Sequence, residues 1–364
     1  MRHLFETSEI NGLELKNRII RSATWTGMAD DSGNCSGQMI QYYESLAQGG
    51  AGLIVTGHTY VMKNGQAGPR QLGVDCEEAI PVLRGLTAAV HKSGGRIVMQ
   101  LSHAGMYADP QLTGLDAKAV SASKRYTPYR LKELTSACIE EIVQAFAAGA
   151  QHAEAAGFDG VQIHAGHGYL LSQFLSPAYN VRTDGYGGAL ENRAKPLMEI
   201  VRRIREATGR HYPLLVKLNC QDFLEGGLTV DESQKVAVML EAEGVDAIEV
   251  SGGTRESGKF KSTRTSIVLE NDEAYFEQFA RSFKQQLRIP IALVGGIRRH
   301  ETAARLLETG AADYIAMSRP FIKEPGFVKR WQSGNTDMVG CMSDNECLSI
   351  GLRGAGIRCR HGQD

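Results

Sequence analysis

The sequence has no surplus of charge of either sign. Its 364 residues include 40 Lys and Arg against 41 Asp and Glu, a formal net charge of −1. Without a basic excess, the chain has no general electrostatic attraction for a nucleic-acid backbone or an anionic membrane surface. We therefore expect neither nucleic acid nor a membrane among its partners.

Long hydrophobic runs and a cysteine framework are also missing. No run reaches the roughly 18 apolar residues of a spanning helix, and the N-terminus MRHLFETSEINGLELKN lacks the apolar core of a signal peptide. The seven cysteines are odd in number and lack the spacing of a disulfide scaffold. These absences favour a soluble cytoplasmic protein in a reducing compartment.

Short apolar runs, by contrast, recur along the whole chain. Each has the length of a strand buried on both faces, and most intervening segments carry helical periodicity, as in IEEIVQAFAAGAQHAEAAG. Eight such runs are present: RIIRSA, GLIVTG, RIVMQL, GVQIHA, LLVKLN, AIEVSG, PIALVG and YIAMSR.

Strand and helix alternating eight times predict parallel strands with right-handed crossovers, and the simplest closure is a (β/α)8 barrel. A doubly wound open sheet is the rival, but no G-x-G-x-x-G follows the first strand. Asn11 and Gly12 predict a tight hairpin that plugs the barrel bottom. We expect a barrel over residues 1–333, a C-terminal extension over 334–364, and a long segment over 102–136 that caps the barrel top.

Polar residues collect at the predicted strand ends, where such barrels carry their chemistry. The fourth strand ends in "HAGHGY", with His164, His167 and Tyr169. Two imidazoles and a phenol suit a metal site, a proton relay or a clamp on a carbonyl oxygen. Zinc normally requires three or four protein ligands, and no third ligand lies nearby in sequence. A carbonyl clamp is favoured, while ordinary core histidines remain the simpler explanation for either residue alone.

Lys217 lies within the buried run LLVKLN, where a lysine requires an anionic partner or a shifted pKa. It would act as a Schiff-base nucleophile or as a fixed cation beside a cofactor that becomes anionic on reduction. A structural ion pair with a neighbouring strand, for example with Glu249, is the alternative.

The last two strand ends suggest a phosphate site. Gly295 and Gly296 permit close backbone approach, and Ser318 and Arg319 precede Pro320 and a helical stretch. Phosphate sites after strands seven and eight recur in these barrels. Ordinary turns and a surface ion pair are the alternative, but together the residues favour a ligand that carries phosphate.

The stretch IHAGHGYLLSQFLSPAYNVRTDGYGGALENR (163–193), with QLSHAG, NRIIRSA, LLVKLN and VGGI…MSRPFI, resembles the Old Yellow Enzyme family of FMN-dependent ene-reductases. The similarity covers roughly residues 1–333. It implies FMN as cofactor, NADH or NADPH as co-substrate and a small unsaturated carbonyl compound as substrate; a homodimer is among the assemblies that it allows.

Residue by residue, the resemblance implies that His164 and His167 bind the substrate oxygen and that Tyr169 protonates the α-carbon. Gln100 matches the residue that binds the flavin pyrimidine, and Lys217 matches the basic residue near N1 and O2. The remaining expected FMN contacts are Ala23, Thr24, Gly57, Gly295, Gly296, Ser318 and Arg319.

The implied reaction is a hydride transfer from NAD(P)H through flavin N5 to the β-carbon of an α,β-unsaturated carbonyl. Two alternatives remain open at this point. One is a flavin-binding protein without ene-reductase turnover. The other is a lyase or aldolase in which Lys217 forms a Schiff base.

The chain departs from the family pattern in two places. Trp25 occupies a position where the family commonly has threonine or cysteine, so we expect it to form a wall of the substrate pocket. The tail has Cys341, Cys347 and Cys359, with Asp344 where larger relatives have another thiolate. Four ligands are the usual requirement for an iron–sulfur cluster. Because the tail has only three cysteines, we expect no bound metal. We also expect a barrel-only form of the family and a tail that packs on a partner subunit.

Overall fold

The computed structural model describes residues 3–121 and 131–362, and its centre is a closed barrel of eight parallel strands. Around the barrel the hydrogen-bonded order is β4-β3-β13-β12-β11-β10-β9-β6, and β6 pairs back with β4. The barrel strands are β3 (Ile19–Arg21), β4 (Leu53–Val55), β6 (Ile97–Ser102), β9 (Val161–Ala165), β10 (Leu214–Asn219), β11 (Ala247–Ser251), β12 (Ile291–Val294) and β13 (Tyr314–Met317).

Each of these strands falls within one of the eight apolar runs or extends it by a single residue, which confirms the barrel prediction. Almost every strand residue is buried, because one face contacts the barrel interior and the other contacts the helices. The helices are α1 (Gly37–Gln48), α2 (Ile80–Lys92), α3 (Pro110–Thr113), α4 (Ser136–Ala155), α5 (Leu170–Leu175), α6 (Leu190–Thr208), α7 (Val230–Ala242), α8 (Glu277–Gln286), α9 (His300–Glu308), α10 (Arg319–Lys323), α11 (Phe327–Gln332) and α12 (Glu346–Ile350).

Local sequence signals set where several helices begin. Ser36 and Thr135 accept hydrogen bonds from backbone N–H groups in the first turns of α1 and α4. Thr229 and Glu232 form a reciprocal capping box at the start of α7. None of the helices in the described ranges is both long and apolar enough to cross a membrane.

A hairpin closes the N-terminal end of the barrel. Strands β1 (Ser8–Ile10) and β2 (Leu13–Leu15) pair through Asn11 and Gly12, whose φ angles of 46° and 76° are those of a tight left-handed turn. Ile10 and Leu15 pack into a cluster formed by the inward-facing residues of the barrel bottom. The hairpin therefore lies where the sequence predicted it.

Three segments lie outside the regular alternation of strands and helices. The predicted cap over 102–136 contains α3, β7 (Ala117–Ala119) and β8 (Leu131–Glu133), while 122–130 fall outside the described residues. The short strand β5 (Thr59–Tyr60) pairs with β6 beyond β4. The C-terminal tail packs on its own barrel, where Ile357 donates its N–H to the carbonyl oxygen of Thr26.

Candidate active site

A cavity of about 610 Å³ opens at the C-terminal ends of the barrel strands. This volume lies within the range of pockets that hold small ligands and cofactors. The sequence-predicted residues on its wall are Ala23, Thr24, Trp25, His164, His167, Tyr169, Lys217, Ser318 and Arg319. The barrel thus brings together residues that are separated by almost three hundred positions in the sequence.

The histidine pair and the tyrosine form one edge of this cavity. The ring of His164 lies 5.0 Å from the ring of His167 and 5.0 Å from the ring of Tyr169, measured between centroids. His164 is the penultimate residue of β9, and His167 and Gly168 turn the chain with φ angles of 61° and 76°. The turn presents both imidazoles and the phenol to the same space.

Hydrogen bonds fix this edge. The Nε2 atom of His167 lies 2.7 Å from the hydroxyl of Ser251, and its backbone N–H donates to the side chain of Asn219. The hydroxyl of Tyr169 lies 3.2 Å from Nε2 of His58. In the described part of the chain, Nδ1 of His164 has no hydrogen-bond partner.

The imidazoles of this edge are neutral near pH 7. Burial, together with the positive charges possible at His167, Lys217 and His58, holds the pKa of His164 well below its usual range. Burial and Lys217 lower the pKa of His167 in the same way. Burial lowers the pKa of His58 to about 4. Each ring therefore offers one N–H donor and one acceptor nitrogen rather than a charge.

Lys217 projects toward the cavity from the barrel interior, and its ammonium is paired. Its Nζ lies 2.9 Å from Oε1 of Glu249 and 2.9 Å from the hydroxyl of Ser22. The ion pair that the sequence left as an alternative is therefore present in the fold. A lysine held as an ammonium by a carboxylate is a poor nucleophile, which disfavours a Schiff base.

Gln100 lies behind the cavity wall rather than on it. Its side-chain amide donates to Gln162 at 2.7 Å, and Gln162 donates to Glu249 at 3.0 Å. Gln100 thus reaches the ion pair through one intermediate residue.

The residues of the predicted phosphate site lie together at one side of the cavity. A smaller adjoining cavity of about 60 Å³ is lined by Gly296, Ser318 and Arg319. The guanidinium of Arg319 donates to the carbonyl oxygen of Arg264 and to the side chain of Asn345, both at 2.9 Å. Gly295, with a φ of 148°, lies immediately before this group.

Gly57, another expected FMN contact, lies where two backbone segments approach closely. A Cβ atom at Gly57 would lie 2.7 Å from the carbonyl oxygen of Thr24, so only glycine fits beside this wall residue. The side chain of Thr24 lies 2.7 Å from the hydroxyl of Ser318, which joins the first and last strand ends.

Sequence reasoning did not assign several residues that line the cavity. Arg255 follows β11 and places its guanidinium over the rings of Tyr107 at 4.4 Å and Tyr169 at 5.9 Å. The tail contributes Asn345, Cys347, Leu348, Leu352 and Ile357 to the same wall. Arg255 and His58 could have been predicted as cavity residues because they follow strand ends. No sequence feature predicted that the tail would line the cavity.

Trp25 lies on the cavity wall beneath the tail. A Cβ atom at Gly351 would approach its ring to 2.9 Å, and one at Gly27 would approach it to 2.8 Å.

Burial raises the pKa of the Cys347 thiol to about 11. In residues 3–121 and 131–362, no group of three His, Cys, Asp or Glu side chains is arranged to hold a metal ion.

Comparison with known proteins gives the same family as the motifs. The sequence model of the NADH:flavin oxidoreductase / NADH oxidase family matches residues 3–337. An NADH oxidase of Thermoanaerobacter brockii is 36% identical over 352 residues, which cover 94% of this chain and 53% of that protein. The chain spans about half the length of this relative.

Solved structures agree. A structure of 2-naphthoyl-CoA reductase with 2-naphthoyl-CoA superposes with a TM-score of 0.92 at 29% identity, over 98% of this chain and 56% of that one. An old yellow enzyme homologue from Zymomonas mobilis gives 0.79 at 26% identity, over 92% and 94% of the two chains. The barrel, the motif at the end of β9 and these similarities confirm the resemblance: the chain belongs to the NADH:flavin oxidoreductase / NADH oxidase family of FMN-dependent oxidoreductases.

Proposed function

We propose that the protein reduces α,β-unsaturated carbonyl compounds, with FMN as its cofactor and NADH or NADPH as the reductant. The observation that carries the proposal is the edge formed by His164, His167 and Tyr169 over a cavity large enough for a cofactor and a small substrate. Family membership supports FMN as the cofactor, and the edge formed by the two histidines and the tyrosine supports a carbonyl compound as the acceptor.

The residues of the cavity fit FMN. Arg319 and Ser318, with the backbone beside Gly296, would hold the phosphate. Lys217 would face the pyrimidine, and the backbone of Ala23 and Thr24 would border the ring system. Bound FMN would supply hydride chemistry, storing two electrons from the nicotinamide for transfer to the acceptor.

The two imidazoles would bind the acceptor's carbonyl oxygen. Because both are neutral, each donates a hydrogen bond through one N–H, and these bonds strengthen as negative charge develops on that oxygen. Both side chains line the cavity, so an acceptor oxygen bound there would lie within their reach.

Tyr169 would deliver a proton to the α-carbon of the acceptor. The Nε2 atom of His58 lies 3.2 Å from the phenol oxygen of Tyr169. In the tautomer that carries its proton on Nε2, His58 would donate to that oxygen and would leave the phenol proton free to point into the cavity. His58 would therefore orient the proton donor.

The test is a stopped-flow experiment on protein reduced anaerobically with NADPH or NADH. The reduced protein is mixed with an enone, a quinone, a nitroester and an unsaturated thioester, and flavin reoxidation is followed by absorbance. We expect at least one unsaturated carbonyl compound to reoxidise the flavin much faster than buffer does. A yellow protein that no acceptor reoxidises would be a flavin-binding protein without this turnover.

A further inference from the structure

A layer of buried polar side chains crosses the barrel between the apolar plug and the cavity. It consists of Ser22, Gln100, Gln162, Lys217 and Glu249, each at most 3% exposed. Beneath them lies a cluster of buried hydrophobic side chains that includes Ile20, Leu53 and Leu215. Buried polar groups are retained at a cost, so the layer calls for a functional explanation.

Glu249 is the centre of this layer. Its Oε1 accepts from the hydroxyl of Ser22 at 2.6 Å and from Nζ of Lys217 at 2.9 Å, and its Oε2 accepts from the amide of Gln162 at 3.0 Å. All three neighbours donate, which is the arrangement of an ionised carboxylate. Behind Glu249 lies the apolar interior of the barrel, lined by Ile20, Leu215 and Ala292.

The ammonium and the carboxylate occupy different positions relative to the cavity. Lys217 is on the cavity wall, whereas Glu249 lies one step deeper and lines the interior space beneath. A negative charge that develops in the cavity is attracted by the nearer ammonium and repelled by the deeper carboxylate. In a poorly screened interior both effects are large, so the carboxylate cancels much of the attraction.

We infer that Glu249 is an internal counter-ion that acts through Lys217 to lower the reduction potential of the flavin. This inference rests on the proposed function, because it requires FMN in the cavity. Glu249 is then a positioning residue: it does not touch the ligand, but it holds the ammonium and determines how much of its charge the cavity experiences. A barrel with Lys217 alone would stabilise the reduced, anionic cofactor more strongly.

Glu249→Gln tests this inference with little change of shape. The carbonyl oxygen of the substituted side chain still accepts from Ser22 and Lys217, and the amides of Gln162 and Gln100 can both turn over so that the hydrogen-bonded chain is preserved. We expect the midpoint potential of the bound flavin, measured by spectroelectrochemical titration, to rise. The expected rise is about 30 mV or more, which for a two-electron couple corresponds to at least a tenfold change in the reduction equilibrium.

A double-mutant cycle separates the electrostatic role from a structural one. Lys217→Gln should lower the potential, and the Lys217→Gln, Glu249→Gln double variant should return toward the wild-type value, since both charges are then gone. A purely structural role for Glu249 would not give opposite shifts that cancel. If Glu249→Gln alone does not fold, comparison of Lys217→Gln with the double variant measures the direct repulsion by the Glu249 carboxylate. The double variant should have the higher potential, and equal potentials would contradict the inference.

The matched control is Asp313→Asn. Asp313 is also a buried carboxylate paired with a lysine, Lys284, at 2.6 Å, but it lies at the opposite end of the barrel. Asp313→Asn should leave the potential of the bound flavin unchanged. If Glu249→Gln binds flavin but its potential is unshifted or lowered, the inference is overturned and the proposed function stands. If the wild-type protein takes up no FMN, the proposed function itself is overturned.

Discussion

At the scale of single residues, the cavity places neutral donors where an acceptor oxygen would lie and a paired charge beneath them. His164 and His167 lack the surroundings that would keep them protonated, because burial and the nearby ammonium of Lys217 lower the pKa of both. A neutral imidazole can donate to an oxygen without requiring a counter-ion. The site therefore suits polarisation of a carbonyl more than capture of a preformed anion.

The phenol of Tyr169 gives the first prediction at this scale. Tyr169→Phe should slow reoxidation of the reduced flavin by an enone about 10²- to 10⁴-fold, the usual contribution of a general acid. Reduction of the flavin by NAD(P)H should remain within about threefold, because no step of general acid catalysis enters it. Stopped-flow absorbance measures both half-reactions.

The matched control removes a neighbouring hydroxyl. Tyr179 belongs to the same buried hydrophobic cluster as Tyr169, and its hydroxyl donates to Glu256 at 2.7 Å, but it does not line the cavity. Tyr179→Phe should leave both half-reactions close to wild type. Equal slowing of the two half-reactions in Tyr169→Phe would contradict its assignment as proton donor.

His103 gives a prediction on stability and pH. It is 1% exposed, its Nδ1 accepts from the N–H of Gly105, and burial lowers its pKa to about 3. An unfolded histidine titrates near pH 6.5, so between these values the unfolded chain binds more protons and stability rises with pH. The contribution is complete above about pH 6.5 and is lost as the pH falls.

The measurement is urea unfolding at pH 7.5 and pH 5. Between these values His103 should account for a loss on the order of 2 kcal/mol in the free energy of unfolding. His103→Asn keeps an acceptor for Gly105 but cannot titrate, so its pH dependence should be weaker by that amount. His211→Asn, at an exposed position, should keep the wild-type dependence; the same dependence in His103→Asn would contradict the argument.

At the scale of elements, the hairpin plug depends on a turn that only certain residues can form. Gly12 has a φ of 76°, and no atom lies within 4 Å of a Cβ placed there. Gly12→Ala should therefore destabilise the fold by backbone strain alone, by about 1 kcal/mol. The barrel mouth is at the other end, so enzyme activity should not change.

Gly37 is the matched control, because it has equally open surroundings but no positive φ, at the first residue of α1. Gly37→Ala should be neutral or stabilising by a few tenths of a kcal/mol to about 1 kcal/mol. Both variants are compared by urea denaturation. Equal stability changes in the two variants would show that the left-handed turn is not what Gly12 provides.

The elements also show what could be predicted from the sequence. The eight barrel strands and the hairpin carry their own signals, namely runs buried on both faces and an Asn-Gly turn. The tail carries none: α12 is five residues long, and its place over the cavity is set by contacts with distant groups such as Arg70, whose guanidinium donates to the carbonyl oxygen of Gly354. In the structure the tail packs on its own barrel, and its expected contact with a partner subunit stays a prediction.

The site could be predicted to a similar degree. Strand ends located His164, His167 and Tyr169, since parallel strands of a barrel all end at one rim. The sequence could not decide whether Lys217 has a partner, because the register between β10 and β11 is a tertiary fact; the structure pairs Lys217 directly with Glu249. Gln100 carried a clear motif, yet its amide donates to Gln162, and neither residue lines the cavity.

At the scale of the whole molecule, the barrel is built as three layers. An apolar plug closes the bottom, a buried hydrogen-bonded layer lies above it, and the open cavity lies at the top beneath the tail. Apolar packing at one end stabilises the barrel, which leaves the strand ends at the other end free to carry polar residues. The central claim is that this cavity holds one FMN, with its phosphate at the last two strand ends.

The most direct test is a titration of the flavin-free protein with FMN, followed by flavin fluorescence, on the wild type, Gly296→Ala and Gly310→Ala. Both glycines have φ near 70°, but a Cβ at Gly296 would lie 2.9 Å from the ring of Tyr275, whereas Gly310 has nothing within 4 Å. We expect one FMN per chain, at least tenfold weaker binding in Gly296→Ala, and wild-type binding in Gly310→Ala. No saturable uptake of FMN, or the same weakening in both variants, would contradict the claim.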